Sequence, residues 1–164
     1  MPFELPENLH PDCGPIAWML GTWRGNGHGD YPGIEPYQFG QELIFTHDGR
    51  PFFHYMARSW VVDEAGEKVR EDAIETGFLR GKPGGEVELL LAHESGVIEI
   101  WLGNAGEGKV EIVTDAIGRV EGAAEITGGK RLYGNVEGDL LYANDIAAGG
   151  EPLQPRTWAR LQRA

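Results

Sequence analysis

The chain is poor in cysteine: Cys13 stands alone among 164 residues. A single thiol excludes a disulfide framework and a cysteine-based metal site, and is the usage expected of a reducing cytosol. Positive charge is also scarce, with 14 Lys and Arg against 26 Asp and Glu and a formal net charge of -12. Without a basic patch such a surface repels nucleic acid and anionic membrane, so neither is an expected partner. No apolar run is long enough to cross a bilayer, and MPFELPENLHPDCG lacks the basic start and apolar core of a signal peptide. A cytoplasmic protein is expected, its oligomeric state unspecified.

Several catalytic patterns are missing as well. No His-x-His, His-Glu-x-x-His or Cys-His cluster occurs, which argues against zinc. There is no Gly-x-Ser-x-Gly elbow, and Cys13 has no evident base near it in the sequence. The acidic pairs Asp63-Glu64 and Glu71-Asp72 fall in or beside turns, where solvated charge is their ordinary role. Hydrolase chemistry is not supported.

What is abundant is glycine, 25 residues, together with 10 prolines and 41% apolar residues. That composition suits many short strands joined by tight turns. The chain is organised around LGTWRGNGHGDYP, Leu20 to Pro32, in which Gly25, Gly27 and Gly29 leave one strand face bare and Arg24, Asn26 and His28 occupy the other. Glycines so spaced mark a strand that curls or is closely approached. A phosphate-binding loop would need a following Gly-Lys-Ser/Thr, and a dinucleotide fingerprint a helix, which Tyr31-Pro32-Gly33 forbids. The remaining reading is the first strand of a closed β-barrel.

Residues 1–14 are read as an N-terminal arm and 15–164 as a single barrel domain, with one helical turn from Pro15 to Leu20 placing Ile16, Met19 and Leu20 inward. Further strands are expected at Tyr37–Thr46, Phe52–Val62, Val69–Leu79, Val87–His93, Val97–Leu102, Lys109–Thr114, Gly118–Glu125, Lys130–Val136, Asp139–Ile146 and Thr157–Arg163. The fold class is all-β, an antiparallel up-and-down barrel of roughly ten strands. A barrel that wide leaves space its own side chains do not easily fill, so a cavity is expected. Gly81-Lys82-Pro83-Gly84-Gly85 is the strongest loop signal and a candidate lid.

The stretch GTWRGNGHGDYPGI resembles the G-x-W-x-G-x-G motif and following Tyr-Pro of the nitrobindins, haem-binding barrels of the calycin type that are also described as fatty-acid-binding-protein-like. The likeness continues in DGRPF at 48–52, ETGFLR at 75–80, LAHESG at 91–96 and EPL at 151–153, nearly the whole chain. It implies a ten-stranded barrel with haem b at one mouth, nitric oxide binding, and isomerisation of peroxynitrite to nitrate by ferric iron. The family's proximal histidine follows the C-terminal Pro-Leu by three positions, and Arg156 stands there. A guanidinium has no free lone pair for a metal, so the axial bond is missing. Ile146, Ala73 and Gln162 replace a family Met and two family His in the same way.

Trp23 is read as the barrel-base tryptophan under Arg160 or Arg163 of the last strand, a cation–π closure. Arg156 is either a rim residue paired with a carboxylate or the anchor of an anionic ligand at the mouth. Alternation puts Trp158 and Arg160 on its face. His93 shares a face with Val87, Leu89 and Leu91 and so points inward, as a hydrogen-bonded core residue or as the substitute axial ligand if haem binds. His28 is read near the rim, His47 as an exposed turn residue, and the face of His54 is unassigned. Tyr31, Pro32, Gly33, Ile34, His93, Tyr142, Ile146 and Arg156 are the expected pocket. The leading reading is a barrel for a small, largely apolar ligand, with an anionic group if Arg156 faces it. The alternatives are a ferric haem nitrobindin with another axial residue, and a ligand-free structural or interaction barrel.

Overall fold

The structure, a computed structural model, describes residues 3–164. Ten strands follow one another: β1 (Gly21–Tyr31), β2 (Ile34–Thr46), β3 (Phe52–Val62), β4 (Lys68–Gly81), β5 (Glu86–His93), β6 (Val97–Gly106), β7 (Lys109–Arg119), β8 (Ile126–Val136), β9 (Asp139–Ala148) and β10 (Gln154–Arg163). Each pairs antiparallel with the next, and β10 returns to β1, closing the barrel. The ring is continuous, but the β7–β8 ladder extends only from Lys109–Gly134 to Val113–Lys130, so the ends of these two strands at the open mouth are not paired with each other. Gly118–Glu125 is not a strand: Gly118 and Arg119 finish β7, and the chain then turns, with Val120 N–H bonded to Gly96 C=O.

An up-and-down barrel puts alternate turns at the same end. One end carries the turns after β2, β4, β6 and β8, together with a 3₁₀ helix at Pro11–Met19 that starts four residues before the expected Pro15. Pro11 opens this helix without loss, because a first helical residue needs no N–H partner. Its buried Cys13, Ile16 and Met19 close the barrel from below. The Gly81–Gly85 segment belongs to this end, with Gly81 backed onto the Asp12 carbonyl, so it cannot cover a pocket at the other mouth. Burial pushes the Cys13 thiol pKa up, which keeps it an inert core residue.

Trp23 anchors the closed end. It is fully buried, donates from Nε1 to the Met19 carbonyl at 2.8 Å, and lies 4.1 Å beneath the Arg163 guanidinium. Arg163 also donates to the carbonyls of Trp18 and Leu20, fastening the helix to β10. Arg160 takes no part: it faces outward and pairs with Asp139 at 2.6 Å.

The bare face of β1 turns inward and is covered by rings from β2. A Cβ on Gly27 would lie 2.4 Å from Phe39 Cζ, and one on Gly29 would lie 2.3 Å from Tyr37 Cζ. The glycines are therefore seats for two aromatic rings. Gly27→Ala is expected to lower stability by about 1–3 kcal/mol through overpacking, since the Trp158 carbonyl at 2.7 Å blocks escape on the far side. Gly14→Ala, where nothing approaches within 4 Å, serves as the control in the same thermal melts.

Candidate functional site

The half of the barrel next to the helix is packed, retaining a void of only about 10 Å³ between residues such as Phe45, Leu89 and Ile112. The opposite half holds a cavity of about 260 Å³. Tyr55 and Tyr133 border both and form its floor. Its walls mix rings, among them Tyr37, Phe39 and Trp101, with inward polar groups.

Alternation delivers those polar groups. In β4 the inward series runs Ala73, Glu75, Gly77, Leu79, in β6 Val97, Glu99, Trp101, and in β8 Gly129, Arg131, Tyr133. Arg131 spans the cavity to Glu75 with two parallel hydrogen bonds, Nη1 to Oε2 at 2.5 Å and Nη2 to Oε1 at 3.1 Å. Tyr55 donates to the same carboxylate at 3.0 Å, and Arg131 donates to Tyr133 Oη at 3.2 Å while stacking over Trp101 at 4.9 Å. His93 bridges two acids: Nε2 bonds Glu99, and Nδ1 lies 4.0 Å from Glu75. Burial pushes the Glu75 pKa up, but the Arg131 charge and hydrogen bonds outweigh this and leave it below the ordinary carboxylate value. The phenols of Tyr55 and Tyr133 are raised by burial, with the negative charge of Glu75 adding to both.

Arg156 reaches the cavity through an irregularity. The β9–β10 register shifts between Pro155 and Thr157, so that Arg156 and Thr157 both line the cavity. Simple alternation fails here: Trp158 and Arg160 face outward, and Trp158 stacks on His28 outside at 5.9 Å. Arg156 donates to Tyr37 Oη at 3.0 Å and lies 5.5 Å over its ring. Among the described residues no carboxylate stands within ion-pair distance of it.

His93, Tyr142, Ile146 and Arg156 line the cavity together, with Tyr142 donating to Gln41 at 2.5 Å. The Tyr31–Ile34 group lies at the correct mouth but outside the lining: Pro32, Gly33 and Ile34 are exposed in the β1–β2 turn. Tyr31 instead ties β1 to β9, donating to Ile146 C=O at 3.3 Å and accepting from Ala148 N–H at 3.0 Å. His54 points outward and touches Thr76, and His47 sits in the β2–β3 turn at the closed end. The Glu75–Arg131–Glu99 set carried a usable signal, charged residues at inward positions of otherwise apolar strands.

A closed antiparallel barrel with one mixed aromatic and polar cavity defines a small-ligand-binding barrel. The chain belongs to the family of the THAP4-like, heme-binding beta-barrel domain, whose profile matches residues 12–163. It is similar to a protein of a Nocardioides species named peroxynitrite isomerase, 71% identical over 99% of both chains. It is also similar to a ferric nitrobindin-like protein of Streptomyces griseus, 43% identical over 98% of this chain and 85% of that one. Among solved structures, Rv2717c from M. tuberculosis superposes with a TM-score of 0.85 at 34% identity, covering 95% of this chain and 99% of that one. The nitrobindin resemblance and the all-β barrel are thereby established.

The donor set does not fit an axial bond to haem iron. Arg156 has no lone pair to offer, and His93, the one histidine lining the cavity among the described residues, is engaged by Glu99 and faces Glu75. The space, about 260 Å³, lies just below the roughly 300 Å³ at which drug-sized ligand sites begin.

Removing one member of the ion pair should cost more than removing both. Arg131→Met leaves Glu75 buried without its partner and is expected to destabilise by about 3 kcal/mol, with Arg131→Met/Glu75→Gln recovering part of it in urea melts. Glu75, its folded pKa lowered, adds stability above the ordinary carboxylate pKa that is lost as pH falls through its folded value. The natural chain should therefore lose more stability than the double variant between about pH 5 and pH 3.

Proposed function

We propose that this chain binds a small, flat, largely apolar ligand at the open mouth of the barrel, with an anionic group of that ligand held by Arg156. The carrying observation is the Arg156 guanidinium itself: turned in by the β10 irregularity, braced on Tyr37, and without a carboxylate partner among the described residues. It occupies the place where the resemblance puts an iron-ligating imidazole, so the same mouth would hold a carboxylate or sulfonate instead of a metal. The buried lone thiol is compatible with a cytoplasmic site of action.

A second reading has the more direct support of the comparisons. The family is described as heme-binding, and a relative 71% identical is named peroxynitrite isomerase. On that reading the mouth would hold ferric haem, which would supply the isomerisation of peroxynitrite, and His93, the cavity-lining histidine among the described residues, would have to leave Glu99 to ligate it.

Titration with hemin separates the two. The first reading expects no saturable ferric Soret band with the natural chain and a one-to-one band with Arg156→His. The second expects a saturable band with the natural chain that disappears in His93→Ala. The anion is tested by fluorescence of 8-anilinonaphthalene-1-sulfonate: Arg156→Gln should weaken its saturable binding at least about tenfold, the loss of one charge-assisted hydrogen bond. Equal affinity for both proteins would sink the role given to Arg156.

A further inference from the structure

The irregularity that turns Arg156 inward has a counterpart across the barrel. The β3–β4 register shifts between Arg58 and Trp60: Arg58 faces Ile74 and Trp60 faces Glu71, so β4 carries one residue more than β3 over this span. Such a bulge breaks the period of two. Asp72 and Ala73, neighbours in the chain, both line the cavity as a result. The buried Ser59 holds the bulge, donating from Oγ to Asp72 Oδ2 at 3.4 Å and accepting from the Ala73 N–H at 3.3 Å. In the ring of strands β4 stands four places from β10 by way of β1 and six by way of β9, so the two bulges sit on opposed walls of the mouth.

Charge at the mouth is divided in the same way. Deeper in the cavity the ionic groups pair with one another, Glu75 with Arg131 and Glu99 with His93. At the rim there remain the Arg156 cation on the β10 side and the carboxylates of Asp72 and Glu94 on the β4 side. Glu94 accepts from the Ile74 N–H at 3.2 Å. The one cation beside Asp72 among the described residues is Arg70, 3.9 Å away and 64% exposed, a weak partner. Asp72 and Arg156 form no ion pair with each other. The cavity also keeps polar atoms unanswered: Arg131 and Trp101, 6% and 1% exposed, line it and leave Nε and Nε1 without a hydrogen-bond partner. Polar demand that the chain does not meet from within suits a ligand that is polar at more than one point.

We infer that the ligand of this mouth is a zwitterion, a flat body with its anionic group on Arg156 and a protonated amine on Asp72. The inference rests on the reading given above for Arg156 and adds the second charge. A lone cation at the mouth would take any small aromatic anion. A carboxylate on the facing wall disfavours a second negative charge and accepts the N–H groups of an ammonium, so the pair selects against dianions and simple anions alike. Tyr37 and Phe39 of β2, on the shorter arc between the two bulges, supply ring contacts for the body of the ligand. Opposite charges on two walls also set which way round the ligand enters.

The test uses two fluorescent sulfonates that differ only in a terminal amine, 5-(2-aminoethylamino)naphthalene-1-sulfonate and 5-(ethylamino)naphthalene-1-sulfonate, titrated at neutral pH and low salt with anisotropy as the readout. The natural chain should bind the amine-bearing probe at least about fivefold more tightly, the effect of one charge-assisted hydrogen bond in a partly exposed place. Asp72→Asn should weaken that probe and abolish the preference, while binding the amine-free probe more tightly than the natural chain does, because a like charge has gone. This opposite response of the two probes separates a lost amine contact from a damaged mouth. Arg156→Gln should weaken both probes. Equal affinity of the natural chain for the two probes, or a preference that survives Asp72→Asn, overturns the inference. If the probes bind equally and Arg156→Gln weakens both, the anion site stands and only the amine site fails; if neither binds saturably, both fail.

Discussion

The contact on which most of this molecule depends is the close approach of two aromatic rings to a backbone without side chains. Phe39 and Tyr37 lie on Gly27 and Gly29 at distances no Cβ could share. That contact draws β2 in over β1, and β1 is the strand that also pairs with β10 to complete the barrel. It fixes the plane of Tyr37, and Tyr37 in turn holds the Arg156 guanidinium by its hydroxyl and its ring. A packing device in the first strand thus positions the cation contributed by the last.

The interior divides into two chemical regimes. Near the helix it is a dry core around Trp23. Toward the open mouth it is an ion network in which Glu75, Arg131, Glu99 and His93 bond one another and two tyrosine hydroxyls, leaving Arg131 Nε without a partner. Charges so placed cost several kcal/mol each to desolvate, and their geometry has to be good to offset it. Bidentate pairing of Arg131 with Glu75 supplies that geometry and limits how far any ligand can descend.

Much of this was legible in the sequence. Strand composition, Asp-Gly turns and the glycine spacing in β1 gave the closed barrel, and the motifs from Trp23 to Leu153 gave its family. Alternation placed His93 and Tyr142 inward correctly because β5 and β9 are regular there. It failed at Arg156, where an extra residue in β10 interrupts the period of two, and nothing in Gln154-Pro155-Arg156-Thr157 announces a shift beyond the proline. The Tyr31–Ile34 turn lies at the mouth the sequence predicts but does not line the cavity, since proximity in sequence to a bent strand does not say whether a turn folds over or away. The lid expected at Gly81–Gly85 went astray on a question of parity: an odd or even number of strands decides which end a turn occupies, and that turn follows the fourth.

The irregularity at Pro155–Thr157 separates two things that a regular strand would link. In a strict alternation, changing an inward side chain disturbs a position whose neighbours define the outer surface and the register of both adjoining strands. Here the surplus residue projects its side chain into the mouth without being one of the ladder's Cα partners. Position 156 can therefore exchange imidazole for guanidinium, or for something else, while β10 keeps its partners. The scaffold can be inherited intact while the side chain at its mouth changes by a single codon.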